Sequence, residues 1–262
     1  MVRGRIVYPV ICVLIAISFS CTFAQQDRDV QINVIPRELI DLPVAGTLRH
    51  REYGLGLRIY PNGGVLSDFS VGMFDRLHAV LYYGGENLIG QGDVNWNPRM
   101  GIDFRLRIVD ESFLFPGIAV GVNTQGYGGY NKTLDRYSIK SRGLYVVSSR
   151  NYATIIGDAG VHIGANVSME RKDEDKDLNF FAGTNISIKK ISEVLIEYDA
   201  AFNDNEKKSA GSNKGYFNIG LRFFISNNFQ LTFHFKDLFE NAKGKSYGRE
   251  IRIEYRDSFL RW

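Results

Sequence analysis

The sequence predicts an all-β protein, an antiparallel transmembrane β-barrel of about twelve strands. Three observations support this prediction. The chain begins with the pattern of an export signal, and an alternation of apolar and polar residues then runs through most of it. In addition, short and long connections take turns between the alternating segments, which is typical of bacterial outer-membrane barrels. We therefore expect the protein in the cell outer membrane, among its lipids and lipopolysaccharide.

Composition agrees with a barrel and argues against other classes. The 262 residues carry a net charge of +3 at pH 7, so charge gives no reason to expect a nucleic-acid partner. Hydrophobic residues make up 44% of the chain, which suits a membrane barrel or a soluble protein but not a helical membrane protein. Glycine (27), phenylalanine (18) and tyrosine (14) are abundant and proline (6) is scarce, a balance that favours β structure.

Residues 1–24 have the layout of a secretory signal peptide. Two arginines precede an apolar run, and the sequence Thr22-Phe23-Ala24 offers a cleavage site. Cys12 and Cys21 both lie in this segment, so cleavage after Ala24 leaves a mature chain without thiols or disulfides. A lipoprotein signal ending at Cys21 is the alternative interpretation.

The segment that follows, residues 25–48, lacks a clean periodicity and contains two prolines. It is predicted to be a periplasmic N-terminal segment that precedes the first strand. The outer-membrane barrel is then predicted to span residues 49–262.

The candidate strands alternate in character residue by residue. In GIDFRLRIV (residues 101–109), apolar side chains alternate with Asp103, Arg105 and Arg107, and GIAVGV (residues 117–122) follows after a polar turn. Each such segment approaches the roughly 9–11 residues that a tilted membrane strand needs. Segments of this kind include residues 53–60, 68–73, 77–83, 102–108, 118–122, 161–167, 178–188, 194–202, 217–223, 229–236 and 250–256.

The connections predict how the barrel is oriented. With the N terminus in the periplasm, the periplasmic links are short, whereas most of the external links are longer and more polar. The short links are residues 75–76, 110–112, 150–152, 190–192 and 227–228. The aromatic-ending last strand is the signal that the barrel-assembly machinery recognises, so that machinery is an expected partner.

In a membrane barrel the apolar face of each strand meets lipid and the polar face points inward. Two interpretations of the inward charges remain open: a pore lining that selects polar or anionic solutes, or a network of ion pairs that fills the interior. The predicted lumen-lining residues are Arg58, Asp103, Arg105, Arg107, Arg142, Glu197, Asp199, Arg222, Lys236, Glu250, Arg252 and Glu254.

No motif predicts catalysis, a metal site or a cofactor. The four histidines have none of the spacings that zinc sites use. Some barrels of this size are lipid hydrolases with a His and a Ser on the outer face, but His162 and His234 fall on the lumen side and no H-x-S sequence occurs. The chain is therefore predicted not to be an enzyme, and a lipid-modifying enzyme remains an unfavoured alternative.

The region from Leu39 to Tyr152 contains the stretches LIDLPVAGTL, RIYPNGG, FDRLHAVLYYGGENLIGQGDVNWNPRMGI and GVNTQGYG, followed by the pattern Y-x-x-K-S-x-G-x-Y-x-V-x-S. With these stretches it resembles the YjbH-like outer-membrane barrel proteins linked to exopolysaccharide production. The resemblance covers less than half of the chain. It implies the barrel fold and a role at surface polysaccharide.

Barrel and resemblance together predict a non-enzymatic barrel that assists export or surface assembly of an exopolysaccharide, with polysaccharide export proteins as partners. The external loops that carry Trp96, Tyr127 and Tyr130 are predicted to contact sugar. The alternative is a narrow diffusion channel for small anionic or saccharide solutes.

Overall fold

The computed structural model describes residues 37–189, 191–243 and 248–259. The predicted signal peptide, residues 1–24, and residues 25–36 lie outside the described residues. Among the described residues, no helix has the length and apolar character needed to cross a membrane. The strands are β1 (Glu52–Tyr60), β2 (Gly64–Met73), β3 (Leu77–Glu86), β4 (Asn95–Trp96), β5 (Gly101–Val109), β6 (Gly117–Asn123), β7 (Tyr127–Asn131), β8 (Arg136–Ile139), β9 (Gly143–Ala153), β10 (Asp158–Val167), β11 (Asn179–Ile188), β12 (Ser192–Asp199), β13 (Tyr216–Phe224), β14 (Phe229–Lys236) and β15 (Gly248–Ser258), with a 3₁₀ turn at Phe202–Asp204.

Twelve of these strands form one closed antiparallel ring, which confirms the predicted β-barrel. Each strand pairs with the next one along the wall, and β1 pairs with β15, from Glu52↔Ser258 to Ile59↔Ile251, to close the ring. The short β4 pairs with the end of β3, and β7 and β8 form a separate two-stranded hairpin between β6 and β9. Closure leaves no free sheet edge, so the ladder satisfies the backbone polar groups that lipid cannot.

Strand β5 shows why the alternating sequence folds this way. Ile102, Phe104 and Leu106 are 42%, 46% and 43% exposed, whereas Asp103 and Arg105 between them are buried. The exposed apolar side chains therefore face outward, where lipid surrounds a membrane barrel, and the charged side chains face the lumen. The hairpin partner β6 continues the pattern after the turn at residues 110–116.

Short and long connections lie at opposite ends of the barrel. One end carries the turns at residues 74–76, 110–116, 154–157 and 225–228, and the other carries the long loops at residues 87–100, 124–142, 168–178 and 200–215. The PNGG turn is the short exception at the long-loop end. There Asn62 and Gly63 both adopt left-handed φ, at 63° and 60°, a conformation that asparagine and glycine tolerate better than other residues.

We expect an arginine on the lipid-facing side of β5 to weaken the barrel. Phe104→Arg should lower the free energy of unfolding by about 2–4 kcal/mol, because a charged side chain near the bilayer midplane is poorly solvated. The matched control is Leu114→Arg, at a 75% exposed position in the 110–116 turn, where the cost falls to about 0–1 kcal/mol. The measurement is urea-induced unfolding in lipid vesicles, followed by heat-modifiable gel mobility. A Phe104→Arg barrel as stable as the wild type would contradict this placement.

Candidate functional site

The lumen of the barrel is occupied by residues 37–48, which we call the plug segment. Its apolar side chains, Leu39, Ile40, Leu42 and Val44, are at most 1% exposed. The segment reverses direction inside the barrel, where the Leu39 N–H donates to the Leu42 carbonyl at 3.0 Å. This corrects the prediction that residues 25–48 form a periplasmic segment ahead of the barrel, because residues 37–48 lie within it.

Glycines of the barrel wall make room for the plug segment. A Cβ added at Gly183 would lie 2.3 Å from Leu39 Cδ1, and one at Gly220 would lie 3.1 Å from Ile40 Cγ1. Glycine weakens a strand, so its presence at these inward positions indicates close approach of another part of the molecule. The inner surface of the wall is therefore complementary in shape to the plug segment.

The carboxylate of Asp41 is the main ionic contact of the plug segment. Arg58 Nη1 lies 2.7 Å from Asp41 Oδ1, and Lys236 Nζ lies 2.6 Å from Asp41 Oδ2. Both cations also approach Glu250 of β15, at 3.4 Å and 3.2 Å. Two buried cations thus share two carboxylates, one from the wall and one from the plug segment, and the group is neutral.

In a second contact the wall supplies the carboxylate and the plug segment supplies the hydrogen-bond donors. Glu197 of β12 accepts hydrogen bonds from the backbone N–H groups of Ile40 (3.1 Å), Asp41 (3.0 Å) and Leu42 (3.1 Å). Asn218 Nδ2 donates to the same carboxylate at 2.7 Å. Successive N–H groups of this kind form an anion-binding concavity, which fixes the tip of the plug segment.

Wall arginines bind the backbone carbonyls of the plug segment. Arg58 Nη2 donates to the Ile40 carbonyl at 2.6 Å, and Arg222 Nη2 donates to the carbonyls of Glu38 and Leu39 at 3.1 Å. Arg105 Nη1 donates to the carbonyls of Arg37 (2.6 Å) and Gly46 (3.0 Å). These five carbonyls are therefore satisfied by arginine side chains of the wall.

The remaining lumen charges pair with one another or with the plug segment. Of the twelve predicted lumen-lining residues, eleven are at most 6% exposed, and Arg107 is partly exposed near the short-turn end. Of the two arrangements that the sequence left open, the described lumen contains the ion-pair network. Its further pairs are Arg105–Asp103, Arg222–Glu193, Arg252–Asp68, Arg142–Asp199, Arg252–Glu38, Arg37–Glu254, Arg256–Glu254 and Arg107–Asp110.

His162 belongs to a buried row of hydrogen bonds. Its Nδ1 lies 2.8 Å from Ser149 Oγ and its Nε2 lies 2.7 Å from Asn185 Oδ1, and Ser149 Oγ accepts the N–H of Ala45 at 2.8 Å. A cavity of about 40 Å³ adjoins this row. The row faces the lumen rather than the lipid. Through Ser149 it binds the backbone of the plug segment at Ala45. His234 is also buried, with Nδ1 3.6 Å from Glu250.

Two of the three aromatic residues assigned to sugar contact are buried. Tyr127 is 6% exposed, and its ring covers the Arg58 guanidinium at 4.3 Å and Lys236 Nζ at 4.8 Å. Tyr130 is 8% exposed and packs edge-on against Tyr137. The β7–β8 hairpin folds inward over the plug segment, which corrects the prediction that these rings lie in an external loop open to sugar.

Trp96 is 48% exposed, but it lies on the outside of the barrel. Its ring stacks on Tyr83, with centroids 5.5 Å apart, and Tyr83 is an outward-facing residue of β3. Aromatic side chains in this position form the girdle at the edge of the membrane in other barrels.

The long loops are tied to one another through the β7–β8 hairpin. Arg136 pairs with Asp173 at 2.5 Å and with Asp204 at 2.6 Å, and Lys140 Nζ lies 2.7 Å from Asp173. Lys140 also donates to the carbonyl of Asn203 at 2.7 Å. These contacts join three loops into one layer over the lumen. Within the described residues, no group of three or more His, Asp or Glu side chains has the arrangement of a metal site.

Glu170 is a buried carboxyl in this loop layer. Burial raises its pKa to about 7, against the opposing effects of the Ser141 N–H, which it accepts at 3.1 Å, and the positive charge of Arg136. A raised pKa means that the folded loops favour the neutral carboxyl. The stabilisation is complete below the ordinary pKa of 4.5 and is lost as the pH rises through about 7.

We therefore expect the loop layer to open more readily at pH 8 than at pH 5, by up to about 3 kcal/mol. Glu170→Gln should remove this difference, because the amide keeps the acceptor oxygen without the charge. The measurement is hydrogen exchange of residues 137–142 and 168–177, corrected for intrinsic rates. Glu174→Gln, in the same loop but with a side chain 72% exposed, is the control and should leave the pH dependence unchanged. An unchanged pH dependence in Glu170→Gln would assign the titration to another group.

The fold and the site define a transmembrane β-barrel of twelve strands whose lumen is filled by its own N-terminal segment. No family model matches the chain, and no curated protein matches it. Among solved structures, it is similar to a KdgM porin, with a TM-score of 0.47, 12% identity, and coverage of 80% of this chain and 99% of that one.

Two further solved structures show a looser likeness. A KdgM porin in complex with disordered oligogalacturonate has a TM-score of 0.45, 11% identity, and coverage of 80% of this chain and 99% of that chain. An outer membrane channel from Pseudomonas putida F1 has a TM-score of 0.39, 13% identity, and coverage of 86% and 100%. The fold is defined by the strand pairing of this chain itself.

Proposed function

We propose that this protein is a non-enzymatic outer-membrane channel for saccharide solutes, exported by the signal peptide at residues 1–24 and closed by its plug segment. One observation carries the proposal. Among the described residues, no backbone–backbone hydrogen bond joins residues 37–48 to a strand of the wall. The contacts run through side chains, so the segment can leave the lumen without breaking the ladder that closes the barrel.

The wall that such a departure exposes is suited to a hydrated solute. It presents buried arginines and the Glu197 carboxylate, which now bind peptide groups of the plug segment, and the Asn218 amide, which donates to that carboxylate. Rings of charged side chains are a common means of selecting solutes in pores. The role in exopolysaccharide export, which rests on the YjbH-like resemblance, stays a prediction, and the burial of Tyr127 and Tyr130 weakens the sugar contact assigned to it.

The hydrogen-bonded row Ser149–His162–Asn185 gives little support to the hypothesis of a lipid-modifying enzyme. Lipid substrates meet the outer face of a barrel, whereas this row lies on the lumen face under the plug segment. The row is better explained as a support that orients Ser149 toward the Ala45 N–H.

A disulfide that locks the plug segment should abolish conduction. A Cβ on Gly117 would lie 3.6 Å from Ala45 Cβ, within the range of about 3.5–4.5 Å for a disulfide, and the sequence after Cys21 contains no other cysteine. In planar bilayers, Ala45→Cys/Gly117→Cys should conduct when reduced, fall silent when oxidised, and recover with reductant. The two single-cysteine variants are the controls and should not respond to redox state. A reduced, folded and inserted protein that never conducts would refute the channel.

A larger wall residue beneath the plug segment should favour the open state. Gly220→Leu places extra carbon atoms where Ile40 Cγ1 already lies 3.1 Å from the position of a Cβ. Overpacking costs about 1–3 kcal/mol, so we expect the open probability in bilayer recordings to rise by roughly 5- to 150-fold. Leu221→Ile, on the neighbouring outward-facing position, is the control and should conduct like the wild type. An unchanged open probability in Gly220→Leu would show that conduction does not depend on the plug segment.

A further inference from the structure

We propose that the turns at the short-turn end are seated in the bilayer, where a ring of apolar side chains binds phospholipid at the boundary between headgroups and acyl chains. The ring, which we call the apolar rim, consists of residues that are between 54% and 104% exposed: Phe74, Leu114, Ile155, Ile191, Ile225 and Phe259. Five of them lie in the five described turns at this end, one in each, and Phe259 follows β15 beside the start of β1. The proposal does not depend on the channel function.

The apolar rim continues the lipid-facing surface of the wall. Phe223 faces outward on β13, and Ile225 lies two residues further along, in step with the period of a strand. Phe259 packs against Tyr53, an outward-facing residue of β1, with ring centroids 4.6 Å apart. The surface that meets lipid therefore extends from the strands onto the turns.

The lengths of the strands give a second reason to place the turns in lipid. A membrane-spanning strand needs about 9–11 residues, whereas the three shortest strands of the described wall, β6, β12 and β14, have seven, eight and eight. Each of the three begins directly after a turn that carries a residue of the apolar rim, namely Leu114, Ile191 or Ile225. The apolar rim thus supplies apolar length where these strands fall short.

The polar side chains of the same turns bind one another. Arg76 pairs with Asp110, and Arg107 Nε lies 3.0 Å from the same carboxylate. Glu111 accepts the Asn151 backbone N–H and its side-chain amide, both at 2.6 Å. Partnered polar groups lose less free energy on leaving water than unpartnered ones. The charged residues of the turns are therefore compatible with a position at the membrane surface.

The distribution of the apolar rim favours lipid over a protein. Its residues are spread over all of the described turns at this end, so they surround the barrel. A partner protein or a second copy of this chain would cover one side and leave the others in water, where exposed apolar surface is unfavourable. Phospholipid surrounds the barrel on every side. Apolar side chains at an interface of this kind reach about 5–10 Å into the boundary between headgroups and acyl chains.

The test places a fluorescent label at single cysteines of the full-length protein, which has no cysteine after Cys21. Ile155→Cys and Ile191→Cys report on the apolar rim. Ile163→Cys, on the outward face of β10, is the control for lipid, and Lys172→Cys, in a long loop where the side chain is 64% exposed, is the control for water. Each variant carries a nitrobenzoxadiazole label and is reconstituted into phosphatidylcholine vesicles.

Both labels on the apolar rim should be quenched by phosphatidylcholine that carries a nitroxide near its headgroup. Iodide, present on both sides of the membrane, should quench them about fivefold less than the label at Lys172→Cys. Quenching by iodide as strong as at Lys172→Cys would place the turns in water and overturn the proposal.

The dependence of stability on bilayer thickness provides a second measurement. The triple variant Ile155→Ser/Ile191→Ser/Ile225→Ser shortens the apolar surface, so the acyl-chain length that gives the highest urea midpoint should fall by about two carbons. Asn227→Ser, at an exposed polar position in the same turn as Ile225, should keep the optimum of the wild type. An unchanged optimum in the triple variant would contradict a lipid-seated rim.

The same labels distinguish the other occupants. Protection from iodide that weakens as the ratio of lipid to protein is raised would assign the apolar rim to contact between copies of this chain. Protection that is found in native outer membranes but not in vesicles would assign it to a partner protein. Either result would overturn phospholipid as the occupant.

Discussion

The structure depends on the neutralisation of charge inside a closed wall. A barrel that meets lipid with its outer face directs its polar residues inward, and the described lumen buries them away from bulk water. Each buried cation then needs a partner, and among the described residues of the wall Glu250 alone lies within ion-pair distance of Arg58 and Lys236. Asp41 completes the set, so the position of the plug segment follows from the charges of the wall.

This arrangement links the long loops to the plug segment. Tyr127 rests on the same Arg58 and Lys236 that hold Asp41, and its hairpin is tied through Arg136 to two further loops. A movement of the loop layer that displaces Tyr127 would therefore alter the surroundings of the two cations that bind Asp41 of the plug segment. Arg58 and Lys236 therefore contact both the loop layer, through Tyr127, and the plug segment, through Asp41.

The wall of the barrel could be predicted from the sequence, because strand alternation is local. The character of residues 101–109 fixed which side chains of β5 face lipid, and Asn62-Gly63 has the turn chemistry that the first hairpin uses. The plug segment and Tyr127 could not be placed in this way. Their burial depends on contacts with residues far along the chain, such as Glu197 and Gly220, and no periodic pattern records such contacts. The inward-facing glycines of otherwise regular strands were the local sequence feature that indicated a segment inside the lumen.

The kind of contact that holds the plug segment bears on whether it can leave. Buried ion pairs add little net stability, because the loss of hydration offsets much of the attraction, yet breaking one without replacement is costly. A segment held by Asp41, Glu38 and its own peptide groups is therefore difficult to remove into an empty lumen. Its removal costs less where water or another polar group takes over those partners, because the charged groups of the wall are then not left unpaired. A segment held by apolar packing alone would not depend on such replacement, since its removal leaves no charge unpaired.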